Sequence, residues 1–467
     1  MAPARPWKHP IVDSDGHTVE FMPVLLDVLT RVAGAEVSQR YADFFSSGFL
    51  GWYELSHEER VHERRVRSPW WALPARNTLD RATASLPRLL YERMDEIGLD
   101  FSVLYGSATL IAPELGDEEL RRAVCRAANV YHSELYGEFS DRLTTAAVIP
   151  MHSPAEAIAE LDFAVGELGH KVVMMAGVVK RPIPEAAASA AGARHGVWID
   201  ALGVDSEHDY DPVWQRCSEL GVSPTFHSGG LGWGSRMSVS SYVFNHLGSF
   251  ASAGEATCRS LFMNGVTQRF PKLRFAFLEG GVGWGCNLYS DIAGHWAKRG
   301  AHHIHEYDPE RMDTAELDRL FREYGDKTIR TKIDEAIGSV GLHVTPEDPA
   351  HLDEFSACGI ERAEDIRELF AERFYFGCEA DDPMNAWAFR SEVNPFGARM
   401  RAMFSSDIGH WDVPDVAKVT DEAWELVERG LLSEDDFRAF TLTTPVEFFT
   451  ATNPDFFAGT AVEGRLP

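Results

Sequence analysis

The chain reads as an α/β protein, a closed (β/α)8 TIM barrel with helical insertions, on three observations. Eight short apolar segments, rich in Val, Ile and Phe, are spread along 467 residues, most of them followed by a stretch compatible with a helix. Strands of that composition separated by helices argue for parallel βα units, and eight of them favour a closed barrel over an open sheet. The side chains that carry chemistry fall at the C-terminal ends of these segments, which is the face that holds barrel active sites.

The first segment, residues 10–16, runs into Ile11-Val12-Asp13-Ser14-Asp15-Gly16-His17, with Glu20 just beyond. Asp13, Asp15 and His17 alternate, so a strand period of two puts them on one face, roughly 6 to 7 Å between successive members. Two carboxylates and an imidazole converging at a strand end suit a hard or borderline divalent metal. Asp13 lies one pleat deeper and is assigned to the barrel structure or to support of the ligands. The second segment is residues 99–105, followed by a helical pattern over about 117–139, and the third is 144–150, with a helix starting near Pro154. The fourth is 171–175. The fifth, 222–227, ends on His227; the sixth, 273–279, ends on Glu279; the seventh is 373–377; the eighth, 400–406, leads into Asp407.

The remaining length forms insertions into one domain spanning 1–467: a cap segment at 30–90, a stretch rich in Ala and Pro at 178–212 and an acidic, mostly helical stretch at 300–370. Trp52, Tyr53, Trp70 and Trp71 are read as packing the first insertion onto the barrel, with a cap over the barrel mouth as the other reading. The run Ala301-His302-His303-Ile304-His305 lies past the sixth helix, away from any strand end, and is read as surface histidines.

An apolar fraction of 45% is ample for a core and excludes global disorder. With 44 basic and 72 acidic residues the formal charge is −28, which argues against nucleic acid or an anionic membrane as partner. The N-terminal residues lack an apolar signal region, and no stretch approaches the ~20 apolar residues of a membrane span. Six dispersed cysteines without a CxxC pair read as buried thiols in a reducing cytoplasm.

Four marks in order, each ending a strand, carry a family resemblance: Asp13-Ser14-Asp15-Gly16-His17, His227, Phe277-Leu278-Glu279-Gly280-Gly281-Val282-Gly283-Trp284, and Ser405-Ser406-Asp407-Ile408-Gly409-His410-Trp411-Asp412. The chain resembles the amidohydrolase superfamily, in the branch related to aminocarboxymuconate semialdehyde decarboxylase. That family's first strand carries Asp-x-His-x-His, so Asp15 stands where the first metal histidine would be and His17 matches the second. His227 matches the fifth-strand histidine and Asp407 the eighth-strand aspartate, which binds metal or moves a proton. Glu279 stands where a histidine is common, and the lysine that some relatives carry at the end of strand 4 is absent.

These departures make the site rich in carboxylates, a mixed O/N field suited to iron or manganese, and the donor set exceeds the needs of one ion. The expected metal ligands are Asp15, His17, Glu20, His227, His246, Glu279 and Asp407, with Asp407 and His410 as catalytic residues. The set also resembles that of non-haem di-iron monooxygenases of diterpenoid antibiotic biosynthesis. That likeness implies two Fe ions, O2 as co-substrate and an electron donor, acting on a bulky apolar acid or its coenzyme A thioester. Trp233 and Trp284 would frame the pocket and Arg236 or Arg299 would hold the anionic group. The alternative is a metal-dependent hydrolase or decarboxylase with one Zn or Mn ion. A homo-oligomer is expected in either case. Glu379, Asp381 and Asp382, just past the seventh strand, are read as polar pocket residues or an acidic solvated loop.

Overall fold

The computed structural model describes residues 5–47, 51–67, 76–189, 192, 195–300, 303–308, 311–335 and 352–466. Trp70, Trp71 and His302 lie outside the described residues. Among the described residues there are ten strands: β1 (Val12–Thr18), β2 (Phe101–Gly106), β3 (Leu143–Ile149), β4 (Val172–Met175), β5 (Val179–Pro182), β6 (Val197–Asp200), β7 (Pro224–Phe226), β8 (Phe275–Phe277), β9 (Phe374–Glu379) and β10 (Arg401–Ser405). Eight form one parallel sheet in the order β1-β2-β3-β4-β7-β8-β9-β10, and each coincides with a predicted segment to within about two residues at either end. The sequence did not announce the antiparallel β5–β6 hairpin, which occupies the insertion at 178–212.

Alternation along the strands sorts the core. Ala147, Val173, Phe226, Phe277, Phe376 and Phe404 face the surrounding helices, while Val103, Tyr105, Ala146, Met174, Ala276 and Met403 belong to a second cluster. The hydroxyl of Tyr105 on β2 meets Oγ1 of Thr225 on β7 at 3.2 Å, across the barrel, so this second set fills its interior. All six cysteines are free and buried. No helix among the described residues is long and apolar enough to cross a membrane.

The sheet closes between β1 and β10 through side chains as well as backbone. Asp13 accepts hydrogen bonds from Ser102 Oγ on β2 (2.6 Å), from Ser406 N–H (2.8 Å) and from Ser406 Oγ (2.7 Å). Just beyond, the Asp407 N–H donates to the Asp15 carbonyl at 3.0 Å, and the His17 N–H to the Ile408 carbonyl at 2.9 Å. A buried carboxylate with that many donors is a structural fixture, the role assigned to Asp13 from its depth in the strand. A register shift between Asp13 and Gly16 in the β1–β2 pairing marks a bulge just before the chemistry begins.

Candidate metal centre

Four strand ends deliver the site. His17 comes from β1, His227 from the residue after β7, Glu279 from two residues after β8 and Asp407 from two residues after β10. Asp15, two residues before His17, joins them from the bulged part of β1. Asp15, His17, His227, Glu279 and Asp407 are all at least nine-tenths buried.

The imidazole Nε2 atoms of His17 and His227 are 3.3 Å apart. Around them, Asp15 Oδ1 lies 3.6 Å from His17 Nε2 and 3.8 Å from His227 Nε2. Glu279 Oε2 is 3.1 Å from His227 Nε2 and 3.8 Å from His17 Nε2, and Asp407 Oδ1 is 3.3 Å from His17 Nε2. Two overlapping groups of donor atoms result, Asp15–His17–His227 and His17–Glu279–Asp407–His410.

His410, read from sequence as a catalytic residue beside Asp407, is part of this donor set as well. Its Nδ1 is 2.7 Å from Asp407 Oδ1 and 3.7 Å from Glu279 Oε1, and its ring stacks on that of His17 at 3.7 Å. His246 reaches the edge of the group, with Nε2 3.9 Å from Glu279 Oε1. It is carried by the short helix Tyr242–His246, which Ser241 caps, and it packs beside Phe250 and Trp411. Tyr242 accepts a 2.9 Å hydrogen bond from Trp411 Nε1, tying that helix to the loop after β10.

Two sequence expectations need correction. Glu20 does not join the donors: its Oε2 accepts from Ala108 N–H at 2.8 Å, its Oε1 from Thr109 Oγ1 at 2.5 Å, and His132 Nε2 stands 3.5 Å away. The loop after β1 turns Glu20 onto the end of β2, a direction that strand periodicity does not encode. The second concerns the pocket. Trp284 packs into the core against Phe277 and Phe376, at 5.6 and 5.1 Å. Arg236 donates to the carbonyls of Leu247 and Gly248, and Arg299 pairs with Glu354. None of the three is placed to receive a large acid at the metal site. His303 and His305 are exposed, as a surface reading requires.

Glu279 and Asp407 both adopt the left-handed backbone conformation, with φ of 55° and 49°. Few residues other than glycine occupy that region, and strain of this kind concentrates where a side chain must be aimed. Gly409, at φ 97°, lets the β10 loop pass close to β1: a Cβ there would lie 3.0 Å from the His17 carbonyl oxygen.

The electrostatics are those of a cation site. Burial pushes Asp15 and Glu279 well above the usual carboxylate range, aided for Glu279 by Asp407 and Asp412. Burial also raises Asp407 to about 7 and holds His17 well below the usual histidine value, with His410 and His227 adding to the latter. At the rim, Glu379 is lifted to about 8 and Asp412 to about 6, burial being the larger cause in both. Neither oxygen of Asp15 has a hydrogen-bond partner among the described residues, nor has Glu279 Oε2. Buried carboxylates without donors, facing imidazoles, fit a divalent ion in both charge and ligand type.

The sequence profile of the amidohydrolase family matches residues 97–450. No curated protein matches the chain. Among solved structures, an amidohydrolase from Mycobacterium avium subsp. paratuberculosis K-10 is similar at 15% identity and a TM-score of 0.51, over 95% of this chain and 100% of that one. A dihydroxybenzoic acid decarboxylase from Polaromonas sp. JS666, with bound manganese, gives 16% identity and 0.49 over 97% and 100%. A 2,6-dihydroxybenzoate decarboxylase from Rhizobium gives 15% and 0.48 over 95% and 99%.

Proposed function

The chain belongs to the amidohydrolase family, and we propose that it is a metal-dependent hydrolase or decarboxylase acting on a small molecule at a two-ion centre. The observation that carries this reading is the orientation of Glu279. Its Oε2 faces His227 and His17, and its Oε1 faces His410 and His246. A carboxylate with one oxygen toward His227 and His17 and the other toward His410 and His246 would be able to serve two neighbouring ions. Asp15, His17 and His227 would hold one ion; Asp407 and His410, with His246 at the edge, would hold the other. The mixture of carboxylate and imidazole suits manganese or iron.

A divalent ion in this position supplies Lewis acidity, which polarises a carbonyl or carboxylate and eases deprotonation of water. The protein contributes proton handling and exclusion of solvent. Asp407 Oδ1 is held 2.7 Å from His410 Nδ1, which places the carboxylate to accept a proton at the site. Phe250, against both His227 and His246, and the Tyr242–Trp411 pair wall the site from bulk water.

The carboxylates at 15 and 279 favour one second reading, a di-iron monooxygenase that takes O2 and an external electron donor to hydroxylate a carbon. Metal analysis after reconstitution with Mn(II) or Fe(II) separates one ion from two, and about two per chain is expected. A single ion per chain would overturn the bridging role. A panel of aromatic and alicyclic acids, assayed for CO2 release or hydrolysis with and without oxygen, then tests the reaction class. Product formed equally in anaerobic solution is expected; product that requires O2 and carries label from ¹⁸O2 would replace the first reading with the second.

A further inference from the structure

A second concavity stands apart from the donors of the metal centre. It has a volume of about 710 Å3 and is formed by the first insertion, the β5–β6 hairpin and the loop that follows His227. Its lining includes Trp52, Arg64, Arg65, Lys180, His195 and Trp233, and no Asp or Glu among the described residues. In a chain of net charge −28 this concentration of cations is not the average surface.

The polar groups of the lining call for an acceptor. Trp52 is 8% exposed and its indole N–H is buried without an acceptor among the described residues; the indole N–H of Trp233 is in the same condition. The guanidinium groups of Arg60 and Arg67 lie over the Trp52 ring at 3.6 and 4.0 Å, so the ring is already engaged and its N–H edge is what it has to offer. Trp233 is half-buried and has no ring partner among the described residues, which leaves a face for stacking. Arg65 and Lys180 pair with Glu63 (3.1 Å) and Glu114 (3.4 Å), exposed contacts of the weak kind that a ligand can displace. Arg64 has no ion pair among the described residues and caps the helix His57–Glu63 in the left-handed conformation, φ 50°.

We propose that this concavity binds a polyanion carrying a flat ring, of the class of nucleoside diphosphates, with Arg64, Arg65 and Lys180 on the phosphates and Trp233 against the ring. Three permanent cations exceed what a single carboxylate would need, and guanidinium groups match phosphate geometry by paired hydrogen bonds. The buried indole donors gain the acceptors they lack.

The test is titration of the full chain with ADP, with pyrophosphate (charge without ring) and with adenosine (ring without charge), read by tryptophan fluorescence and calorimetry. ADP is expected to bind more tightly than either fragment, equally in metal-loaded and chelator-stripped protein. Arg64 and Lys180 are both exposed, and Arg64→Glu combined with Lys180→Glu is expected to weaken ADP about tenfold or more, with an unchanged circular dichroism spectrum showing that the fold is kept. Trp233→Leu should weaken ADP but leave pyrophosphate unchanged. ADP no tighter than its fragments, an affinity indifferent to the charge reversal, or binding that disappears when metal is stripped would each overturn the assignment.

Discussion

Glu279 and Asp407 hold a backbone conformation that costs a residue with a Cβ about 1–2 kcal/mol. Neither position is glycine, so the carboxylate outweighs the local strain. That reasoning yields a comparison of two variants. In metal-free protein, Glu279→Gly should be more stable than Glu279→Ala by about 1 kcal/mol, because only glycine relaxes at φ 55°. Both should lose at least half of the bound metal. Equal denaturation midpoints, or full metal retention, would show that the strain or the ligand role is misassigned. Part of the residue-level site was legible because strand alternation placed Asp15 and His17 on one face; the expectation that Asp13 shares it fails, since the bulge between Asp13 and Gly16 turns Asp13 onto the face of Ser102. Glu20 was not legible, since two residues of loop suffice to turn a side chain onto a neighbouring strand. His410 was seen beside Asp407, but its stacking on His17 depends on how the β10 loop crosses β1, which Gly409 permits and no periodicity reports.

At the scale of elements, most of the barrel strands were readable because they are short, largely apolar and buried on both faces, whereas β1, Val-Asp-Ser-Asp-Gly-His-Thr, stood out by its alternating polar residues. The β1 bulge and the β5–β6 hairpin were not readable, the hairpin because its strands Val-Lys-Arg-Pro and Val-Trp-Ile-Asp are too short and mixed to stand out. The N-terminal segment illustrates how tertiary contacts settle an element. His9 bonds Thr441 Oγ1 at 2.9 Å and packs on Phe437, joining the chain start to the C-terminal helices. Burial first, then Arg438, lowers its pKa from 6.5 to about 4. The unfolded chain therefore takes up this proton as pH falls through about 6.5, whereas the folded chain resists until about 4. Its neutral form contributes stability above 6.5 that is lost progressively as pH drops toward 4. The loss is on the order of 1 kcal/mol once solvent screening at a half-buried ring is allowed for. His9→Asn keeps a hydrogen-bonding group beside Thr441 without the titration, so its melting temperature should fall less steeply than that of the unaltered chain between those pH values. Parallel slopes would show that His9 does not govern this segment.

The whole molecule carries a charge of −28, and its surface ion pairs do not neutralise that excess. Pairs such as Arg88–Glu92, Arg122–Glu118 and Arg322–Asp318 join side chains that are each about half exposed or more, and contacts of that kind contribute roughly 0–1 kcal/mol. The repulsion among the unpaired acids acts over longer distances and favours the expanded chain. Salt screens both, but unequally. Raising ionic strength from about 0.01 M to about 0.15 M shortens the screening length from about 30 Å to about 8 Å. That range removes most of the repulsion between distant acids while leaving pairs in contact largely intact. The melting temperature should therefore rise by a few degrees in NaCl over this interval, with the metal centre either fully loaded or fully stripped so that ion binding does not enter. The concavity lined by Arg64 and Lys180 responds in the opposite direction, because its attraction for a polyanion is screened by the same ions. Calorimetry and ADP titration on one salt series should thus diverge, with stability increasing as affinity falls. A melting temperature that drops with salt would mean that the surface ion pairs, and not the net negative field, dominate the electrostatics of the fold.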